Sequence, residues 1–352
     1  MGCCHSIPTN TNPNQTEESP TRALKFPSPH IDGGHRESGA TIVRSDGRVI
    51  RNQSIIVPDS TSVYSPIHAY WLLRSYRRST YGQVWRALLV TRENEDYVRN
   101  NHWTATSISC AVKEYSKKEL QFLSQDQHFG EDPHQEIAAM QHLLRFLNSS
   151  ATSSSSTTTI GEDRSSSTTV EIGDQRKKNT KVIDEAKRRR ELMLRNNVLL
   201  PLDVFEETTL TADEKYLYLV TPFLGGGTMM ERIQDISEFQ AGFGKIETRK
   251  LITQIVTALE TLHRAHICHF DLRLENILLS VEKDETLIPV VYGLGRCFGI
   301  PYCNAGQRHR IIGWNYYGTQ VNQKVRRTCL TKTISSFVLF SQFFIHHLKA
   351  IL

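Results

Sequence analysis

Two segments rich in apolar and β-forming residues limit most strongly what this chain can fold into. The segments YGQVWRALLV, residues 81–90, and SCAVKEY, residues 109–115, are predicted to be strands. A polar loop is predicted between them, over residues 91–107. The periodic part of the chain therefore starts with β structure, from about Tyr70 onward.

Helical spacing of apolar residues follows in two places downstream. The segment EDPHQEIAAMQHLLRFL has Pro133 near its start, as helices often do. The segment IETRKLITQIVTALETLHRAHI, residues 246–267, has the pattern of a long amphipathic helix. Between these helices, residues 196–207 and 215–223 are predicted to be two further strands. The apolar positions that define the helices are Ile137, Met140, Leu144 and Leu147 in the first, and Leu251, Ile255, Leu259 and Leu262 in the second.

The charge of the chain is concentrated in one segment. The formal net charge is +5, and residues 176–195 alone hold nine Lys or Arg against three Asp or Glu. A basic surface that coats nucleic acid is therefore not indicated, and no nucleic-acid partner is expected. The basic segment is either a solvated helix or a contact for a membrane or a partner. Seven cysteines lack the spacing of a zinc site, which favours a reducing compartment.

The first 65 residues are rich in Ser, Thr, Asn, Pro and Gly, and a disordered arm is predicted over residues 1–65. The arm begins with MGCCHS, in which Gly2 fits an N-myristoylation signal. Cys3 and Cys4 are candidate palmitoylation sites, and a second anchor is needed for stable membrane residence. The expected location is the cytoplasmic face of a membrane, or the cytoplasm without acylation. The alternative is a Met-Gly start that arose by chance.

A Ser- and Thr-rich stretch followed by the basic segment is predicted to be a disordered insertion over residues 148–195. In order and spacing, the predicted elements and the motifs within them resemble the protein kinase family from about Trp71 to Tyr317. The resemblance implies an α+β, two-lobed fold, with a mostly antiparallel β first lobe over residues 66–222. A helical second lobe over residues 223–320 is expected to be incomplete, followed by an atypical apolar tail over residues 321–352.

The resemblance assigns roles in the first lobe to several residues. Lys113 of the CAVK motif would hold the phosphates of ATP, and Glu136 of HQEIAAM would fix that lysine. The segment VTPFLGGGTM resembles the hinge between lobes, whose backbone would contact adenine, with Thr221 at the gate of the pocket. The other residues expected to line the nucleotide site are Gly82, Val84, Ala111 and Phe223.

The segment HFDLRLEN resembles the catalytic loop of the family. Asp271 would accept the proton of the substrate hydroxyl, and Asn276 would bind Mg²⁺ through its amide oxygen. Arg273 stands where Ser/Thr kinases carry a lysine that touches the transferred phosphate, which favours Ser/Thr as the substrate class. The resemblance thus implies ATP and Mg²⁺ as cofactors and a protein substrate or partner.

Several positions depart from the family pattern. Arg77 and Ser79 replace the first two glycines of the phosphate loop, and Phe270 replaces the arginine before the catalytic aspartate. Val291 stands where an aspartate should ligate magnesium, while Tyr292 and Gly293 keep the ring and the glycine of that motif. An isopropyl group offers no oxygen ligand to the metal.

Three interpretations remain open from the sequence. The first is an ATP-dependent protein Ser/Thr kinase with weak or lost activity. The second is a membrane-tethered pseudokinase that acts as a binding or scaffold module. The third is an incomplete gene product, because only Gly313 and Tyr317 resemble the later family motifs and the chain then ends in an apolar run.

Overall fold

The computed structural model describes residue 26 and residues 28–59, 67–79, 81–92, 101–124, 132–152, 172–208, 215–235 and 243–299. Its strands are β1 (Asp32–Val43), β2 (Val49–Pro58), β3 (His68–Ser79), β4 (Gly82–Thr91), β5 (His102–Ser116), β6 (Asp203–Glu207), β7 (Tyr216–Pro222), β8 (Ile267–Cys268), β9 (Ile277–Val281), β10 (Leu287–Val291) and β11 (Phe298–Gly299). Its helices are α1 (Lys117–Ser124), α2 (Pro133–Thr152), α3 (Ile172–Asn196), α4 (Met229–Gln234) and α5 (Lys245–Arg264).

The first seven strands form a closed barrel in the order β1-β2-β3-β4-β5-β7-β6. The pairings along the barrel are antiparallel, except that β1 runs parallel to β6 and to the start of β5 and so closes the sheet. Apolar side chains from β3, β5 and β7, including Tyr70, Val112 and Val220, form a buried cluster. The barrel is the first lobe, and its strand β5 carries Lys113.

The prediction that residues 1–65 are disordered is wrong for β1 and β2. These strands form a hairpin with Gly47, at φ +80°, in the connection between them. Ala40, Ile42 and Ile55 are fully buried in a cluster at one end of the barrel. The Asp-Gly turn signal and the alternation of apolar residues outweigh the polar composition of the segment. The first lobe therefore begins well before residue 66.

The predicted disordered insertion over residues 148–195 is also wrong where the structure describes it. Helix α2 runs on to Thr152, and α3 covers the whole of the basic segment. One side of α3 is apolar, and Ala186 and Met193 are buried against the rest of the protein. Arg189 donates hydrogen bonds to the carbonyl oxygens of Pro201 and Leu202. The basic segment is thus held in place by packing and hydrogen bonds, while others of its charged side chains are exposed to solvent.

Two strand boundaries differ from the sequence-based prediction. The loop expected over residues 91–107 ends earlier, because β5 starts at His102 and pairs with β4 and β1. The strand expected over residues 196–207 is confined to β6, since residues up to 196 continue α3.

The second lobe is built around α5. Leu251, Ile255 and Leu262 on one face of this helix are buried, as their spacing predicts. Two small antiparallel sheets, β8 with β11 and β9 with β10, pack beside it. The predicted α+β arrangement, with a β-rich first lobe and helices in the second, is confirmed over the described residues. Within those residues, every helix is too short or too polar to cross a membrane.

Candidate functional site

A lysine of the barrel and a glutamate of α2 meet in the space between the two lobes, here called the cleft. Lys113 lies in β5, and Glu136 lies in the first turn of α2. The Nζ atom of Lys113 donates to both carboxylate oxygens of Glu136, at 3.0 and 2.9 Å. The glutamate side chain is 7% exposed and the lysine side chain 27%, so the cation keeps access to the cleft.

Tyr115 is a third member of this cluster. Its buried hydroxyl donates to Oε2 of Glu136 at 2.9 Å. Burial, together with the nearby carboxylate, raises the pKa of Tyr115, so the phenol stays protonated. Burial alone would lower the pKa of Lys113, but the Glu136 carboxylate outweighs it and raises that pKa above its ordinary value. The cluster therefore combines a cation, an anion and a neutral donor.

The start of α2 is tied to the segment that follows β10. The backbone N–H of Asp132 donates to the carbonyl of Gly295 at 3.1 Å. The side-chain amide of Gln135 donates to the carbonyl of Cys297, also at 3.1 Å. These bonds hold the first turn of α2, and with it Glu136, toward the second lobe.

His269, Asp271 and Asn276 form one hydrogen-bonded network in the loop between β8 and β9. The side-chain amide of Asn276 donates to the backbone oxygen of Asp271 at 2.7 Å and to its Oδ2 atom at 3.0 Å. The N–H of Asp271 donates to Nδ1 of His269 at 3.2 Å. Nε2 of His269 in turn donates to the carbonyl of Tyr292 at 2.8 Å. The loop is thus fixed to the turn after β10.

The same network fixes the protonation state of His269. The ring is fully buried, and burial lowers the pKa of this histidine. A backbone N–H can only donate and a carbonyl can only accept, so the proton of the neutral ring sits on Nε2. The imidazole therefore orients Asp271 without carrying charge.

Phe270 lies in the middle of this network, at φ +59°. A bulky residue rarely adopts this left-handed conformation, which costs of order 1–3 kcal/mol. The hydrogen bonds of the residues on either side, His269 and Asp271, hold the backbone in place. The aromatic side chain brings no positive charge to the position where the resemblance expects an arginine.

Val291 and Tyr292 occupy different surroundings from those that the resemblance implies. Val291 is the last residue of β10, pairs with Ile277 and is 1% exposed in the core. Tyr292 is the residue beside Asn276, because its N–H donates to the carbonyl of Asn276 at 3.0 Å. Its hydroxyl donates to the carbonyl of Glu275 at 2.8 Å. The side chain is therefore bound to the catalytic-loop region through its hydroxyl, a contact that a phenylalanine could not make.

Gly293 follows in a left-handed conformation, at φ +80°. A Cβ atom at this position would lie 2.9 Å from both Cγ and Oδ1 of Asn276. The glycine is therefore required by the close approach to that side chain as well as by its backbone angle.

The predicted phosphate loop is the turn between β3 and β4. Gly82 has φ +152°, and a Cβ atom there would collide with the carbonyl oxygen of Glu114 on β5. This glycine thus serves the packing of two strands. Val84 is paired with Arg77 on one side and Lys113 on the other, so the three side chains share one face of the sheet.

The residues expected around adenine lie at the start of the connection between lobes. Ala111 pairs with Thr221 across β5 and β7, and Thr221 is buried. The N–H of Phe223 donates to the carbonyl of Ser109 at 3.0 Å. Its ring lies under the guanidinium of Arg86, 4.8 Å from the ring centre. Phe223 is thus held by the barrel through both its backbone and its ring.

Arg273 lies beside the expected catalytic aspartate. Its Nε atom is 3.7 Å from Oδ2 of Asp271, and about half of the arginine side chain is exposed. Lys113 and Glu136 thus form one cluster on the first lobe, and Asp271, Arg273 and Asn276 form another on the second lobe. Glu136 acts electrostatically on His269, and Lys113 acts on Tyr292, so the two clusters lie near one another. This arrangement is able to hold a polyanion against a carboxylate.

A comparison with protein families matches part of this arrangement. Residues 167–296 are similar to the protein kinase domain. This segment, together with the barrel in front of it, is called the kinase-like domain below. The matched residues include the catalytic loop and β10 but begin after Lys113 and Glu136. The assignment of that pair in the kinase-like domain therefore rests on its geometry.

Curated relatives of the kinase-like domain are similar over a limited length. The hormonally up-regulated neu tumor-associated kinase of Homo sapiens is 33% identical over 111 residues, which are 32% of this chain and 14% of that protein. Its homolog A in Xenopus laevis is 35% identical over 111 residues, with the same two shares. A probable myosin light chain kinase of Dictyostelium discoideum is 31% identical over 104 residues, 29% of this chain and 24% of that protein. The chain thus spans no more than 24% of the length of these relatives.

Protein kinases in general use ATP and a divalent metal, so the fit of the kinase-like domain to Mg²⁺ can be tested on its residues. Asn276 directs its amide N–H groups at Asp271, which leaves its Oδ1 atom for a metal. Its neighbour Tyr292 is a phenol whose pKa is raised by burial, and Val291 is in the core. Mg²⁺ prefers charged oxygen ligands in octahedral geometry. One neutral amide oxygen does not meet that requirement, so these residues do not fit a magnesium site.

Sequence reasoning missed Tyr115 and Glu231 as members of the site of the kinase-like domain. Tyr115 follows Lys113 by two positions and so shares its face of β5, which is a signal that was available. Tyr292 was assigned a structural role only. The ion pair between Arg77 and Glu231 of α4, at 3.7 Å, joins residues far apart in sequence and left no local signal. The predicted lipidation residues Gly2, Cys3 and Cys4, together with Gly313 and Tyr317, lie outside the described residues.

Proposed function

We propose that the kinase-like domain binds ATP in its cleft and that phosphoryl transfer to protein Ser/Thr is weak or lost. The pair of Lys113 and Glu136 supports nucleotide binding, because a fixed ammonium group on the cleft wall is suited to phosphate oxygens. Ala111 and Thr221, which are paired across β5 and β7, would contact adenine at the connection between the lobes.

The observation that carries the second half of the proposal is the burial of Val291 and the presence of Tyr292 beside Asn276. The kinase reaction depends on neutralising the charge of the transferred phosphoryl group. Loss of one such stabilising group costs on the order of a hundredfold or more in rate. Binding and scaffolding would then be the main activity, as in a pseudokinase.

Residual transfer is supported by the catalytic loop. Asp271 is oriented by the amide of Asn276 and by the ring of His269, and its carboxylate would accept the proton of a Ser or Thr hydroxyl. Arg273 stands next to it and would contact the transferred phosphate. We propose Ser/Thr as the substrate class on this ground.

Two measurements test the proposal. Addition of ATP should raise the melting temperature of the full chain, because a ligand that binds the folded state stabilises it. Lys113→Met and Ala111→Phe should both abolish that shift, the second by filling the adenine position. The Ala111→Phe variant guards against misfolding, since it leaves the pair of Lys113 and Glu136 intact. A wild-type chain that ATP does not stabilise would overturn the proposal.

Phosphate transfer to a generic Ser/Thr substrate should be compared between wild type and Asp271→Ala. If both proteins transfer phosphate only at the background rate, the function of the chain is binding alone. A rate in wild type that falls about a hundredfold or more in the variant would assign it to the kinases.

We further propose acylation at Gly2, with Cys3 or Cys4 as the second anchor, which would place the domain at the cytoplasmic face of a membrane. One myristoyl chain binds membranes only marginally, so both signals are needed. Gly2→Ala should move the protein from the membrane to the soluble fraction of cells. Retention of the variant in the membrane fraction would contradict acylation at this site.

A further inference from the structure

We propose that the cleft binds the triphosphate of ATP without a divalent cation, with the guanidinium of Arg77 supplying the positive charge that the metal would otherwise provide. This inference rests on the proposed nucleotide binding and adds that the bound ligand is ATP without a metal ion. It is carried by the position of Arg77 on the sheet, by the ion pair that Arg77 makes, and by the poor fit to magnesium described above.

Arg77 shares the cleft-facing side of the barrel with Lys113. It pairs directly with Val84 on β4, and Val84 pairs directly with Lys113 on β5. Residues directly opposite one another on neighbouring strands project to the same face of a sheet. The backbones of Arg77 and Lys113 are two strand spacings apart, roughly 10 Å. Both side chains are long enough to reach an anion between them.

Arg77 is also connected to the opposite wall of the cleft. Its Nη1 atom lies 3.7 Å from Oε1 of Glu231, a residue of α4 in the second lobe. The guanidinium therefore crosses the opening of the cleft from a position where the resemblance expects a glycine. A glycine-rich turn offers backbone N–H groups to phosphate, whereas this turn offers a charged side chain.

The ion pair of Arg77 is weak enough to be exchanged for phosphate. More than half of each side chain is exposed, and exposed pairs contribute only about 0–1 kcal/mol. Arginine binds phosphate through two parallel N–H bonds, which are roughly twice as strong as neutral hydrogen bonds. Transfer of the guanidinium from Glu231 to the triphosphate is therefore favourable.

The hydroxyl of Tyr292 lies among the same charges. Lys113, Arg77, Glu136 and Glu231 are the charged groups near this hydroxyl. The N–H of Tyr292 donates to the carbonyl of Asn276 at 3.0 Å, so the residue beside Asn276 is a tyrosine. Residues 292–299, which follow β10, contain no Asp or Glu.

The experiment is a titration of the full-length chain with ATP, followed by calorimetry, once with magnesium chloride and once with EDTA. We expect dissociation constants within about twofold of each other in the two buffers. Binding that requires magnesium would overturn the inference but leave the proposed function standing. Absence of binding in both buffers would overturn both.

Matched variants test the part played by Arg77. Arg77→Ala should weaken ATP binding in EDTA by about tenfold, because a charged hydrogen-bonding partner of the phosphates is lost. Arg78→Ala is the control, since the next residue of the strand projects to the other face, and its affinity should stay within about twofold of wild type. Equal affinities of the two variants would exclude Arg77 as the replacement cation.

Glu231→Gln tests the exchange of partners. The amide keeps the hydrogen bond from the N–H of Thr228 that caps α4, so the helix should remain intact. The variant removes the competing carboxylate, and ATP should bind about two- to threefold more tightly. Weaker binding would instead make Glu231 a ligand contact and contradict the proposed exchange.

Discussion

The two walls of the cleft differ in how much of the kinase machinery they keep. The barrel wall keeps Lys113 and Glu136 and adds the hydroxyl of Tyr115 to them. The wall of the second lobe keeps Asp271 and Asn276 in their hydrogen bonds, but the residue beside them is Tyr292. The groups proposed to bind phosphate are thus separable from those that would hold a metal, because each set belongs to its own hydrogen-bonded cluster. The residues expected in the first cluster are all present, whereas Tyr292 changes the second.

The largest expected effect tests which residue occupies the metal position. Val291→Asp should lower the free energy of unfolding by about 3–5 kcal/mol, because it buries an unpaired carboxylate in the core. Urea denaturation of the variant against wild type measures this loss.

Tyr292→Asp is the matched change on the next residue. It should lower stability by only about 1 kcal/mol, through loss of the hydrogen bond to the carbonyl of Glu275. It should also make ATP binding depend on magnesium, which calorimetry would detect. If Val291→Asp were stable and gained magnesium dependence instead, the assignment of the two residues would be reversed.

The next largest effect on stability concerns the barrel wall of the cleft, which contains Tyr115 and Glu136. Tyr115→Phe should lower the free energy of unfolding by about 1.5–2 kcal/mol, because the buried carboxylate of Glu136 loses a hydrogen bond. The control is Tyr218→Phe on the neighbouring strand, whose buried hydroxyl has no hydrogen-bond partner within the described part of the chain. Thermal or urea unfolding of both variants should leave the control at or above wild-type stability. A loss of equal size in the two would show that only ring packing matters.

The smallest effect is the dependence of stability on pH. Burial lowers the pKa of His269, and it also lowers the pKa values of His142 and His263. The unfolded chain therefore binds protons more readily than the folded one below pH ~6.5, so stability falls as pH falls through that window. Each such group contributes at most about 1.4 kcal/mol per pH unit to the slope.

The share of His269 in that slope is separable by substitution. His269→Gln should flatten the fall of stability between pH 7 and the acid range, measured by urea unfolding at several pH values. His30, which is exposed and lies outside these networks, is a suitable control position for His30→Gln. An unchanged slope in His269→Gln would show that the other two histidines account for it.

The sequence was sufficient for the parts of the fold that repeat with a clear period. β4, α2 and α5 lie where alternation or helical spacing predicts them, and the pair of Lys113 and Glu136 follows from a strand and a helix of the right order. The hairpin of β1 and β2 was not predicted, because its polar composition concealed the Asp-Gly turn and the buried Ile42.

The sequence was not sufficient where a shift of one residue in strand register changes which side chain reaches the site. The letters V-Y-G align Val291 with the metal-binding position, yet the ladder between β9 and β10 extends through Val291 and leaves Tyr292 as the first residue beside Asn276. The ion pair of Arg77 with Glu231 depends on the relative placement of the lobes. Neither feature has a periodicity that a sequence pattern would reveal.

The closed barrel has a consequence for how this lobe behaves in a crowded solution. An open sheet ends in strands with unpaired backbone groups, which another chain can extend. Here β1 bonds to β2 on one side and to β6 and β5 on the other, so the strands at both ends of the sheet are paired. Truncation of the hairpin would uncover two such edges at once and make the lobe a template for aggregation.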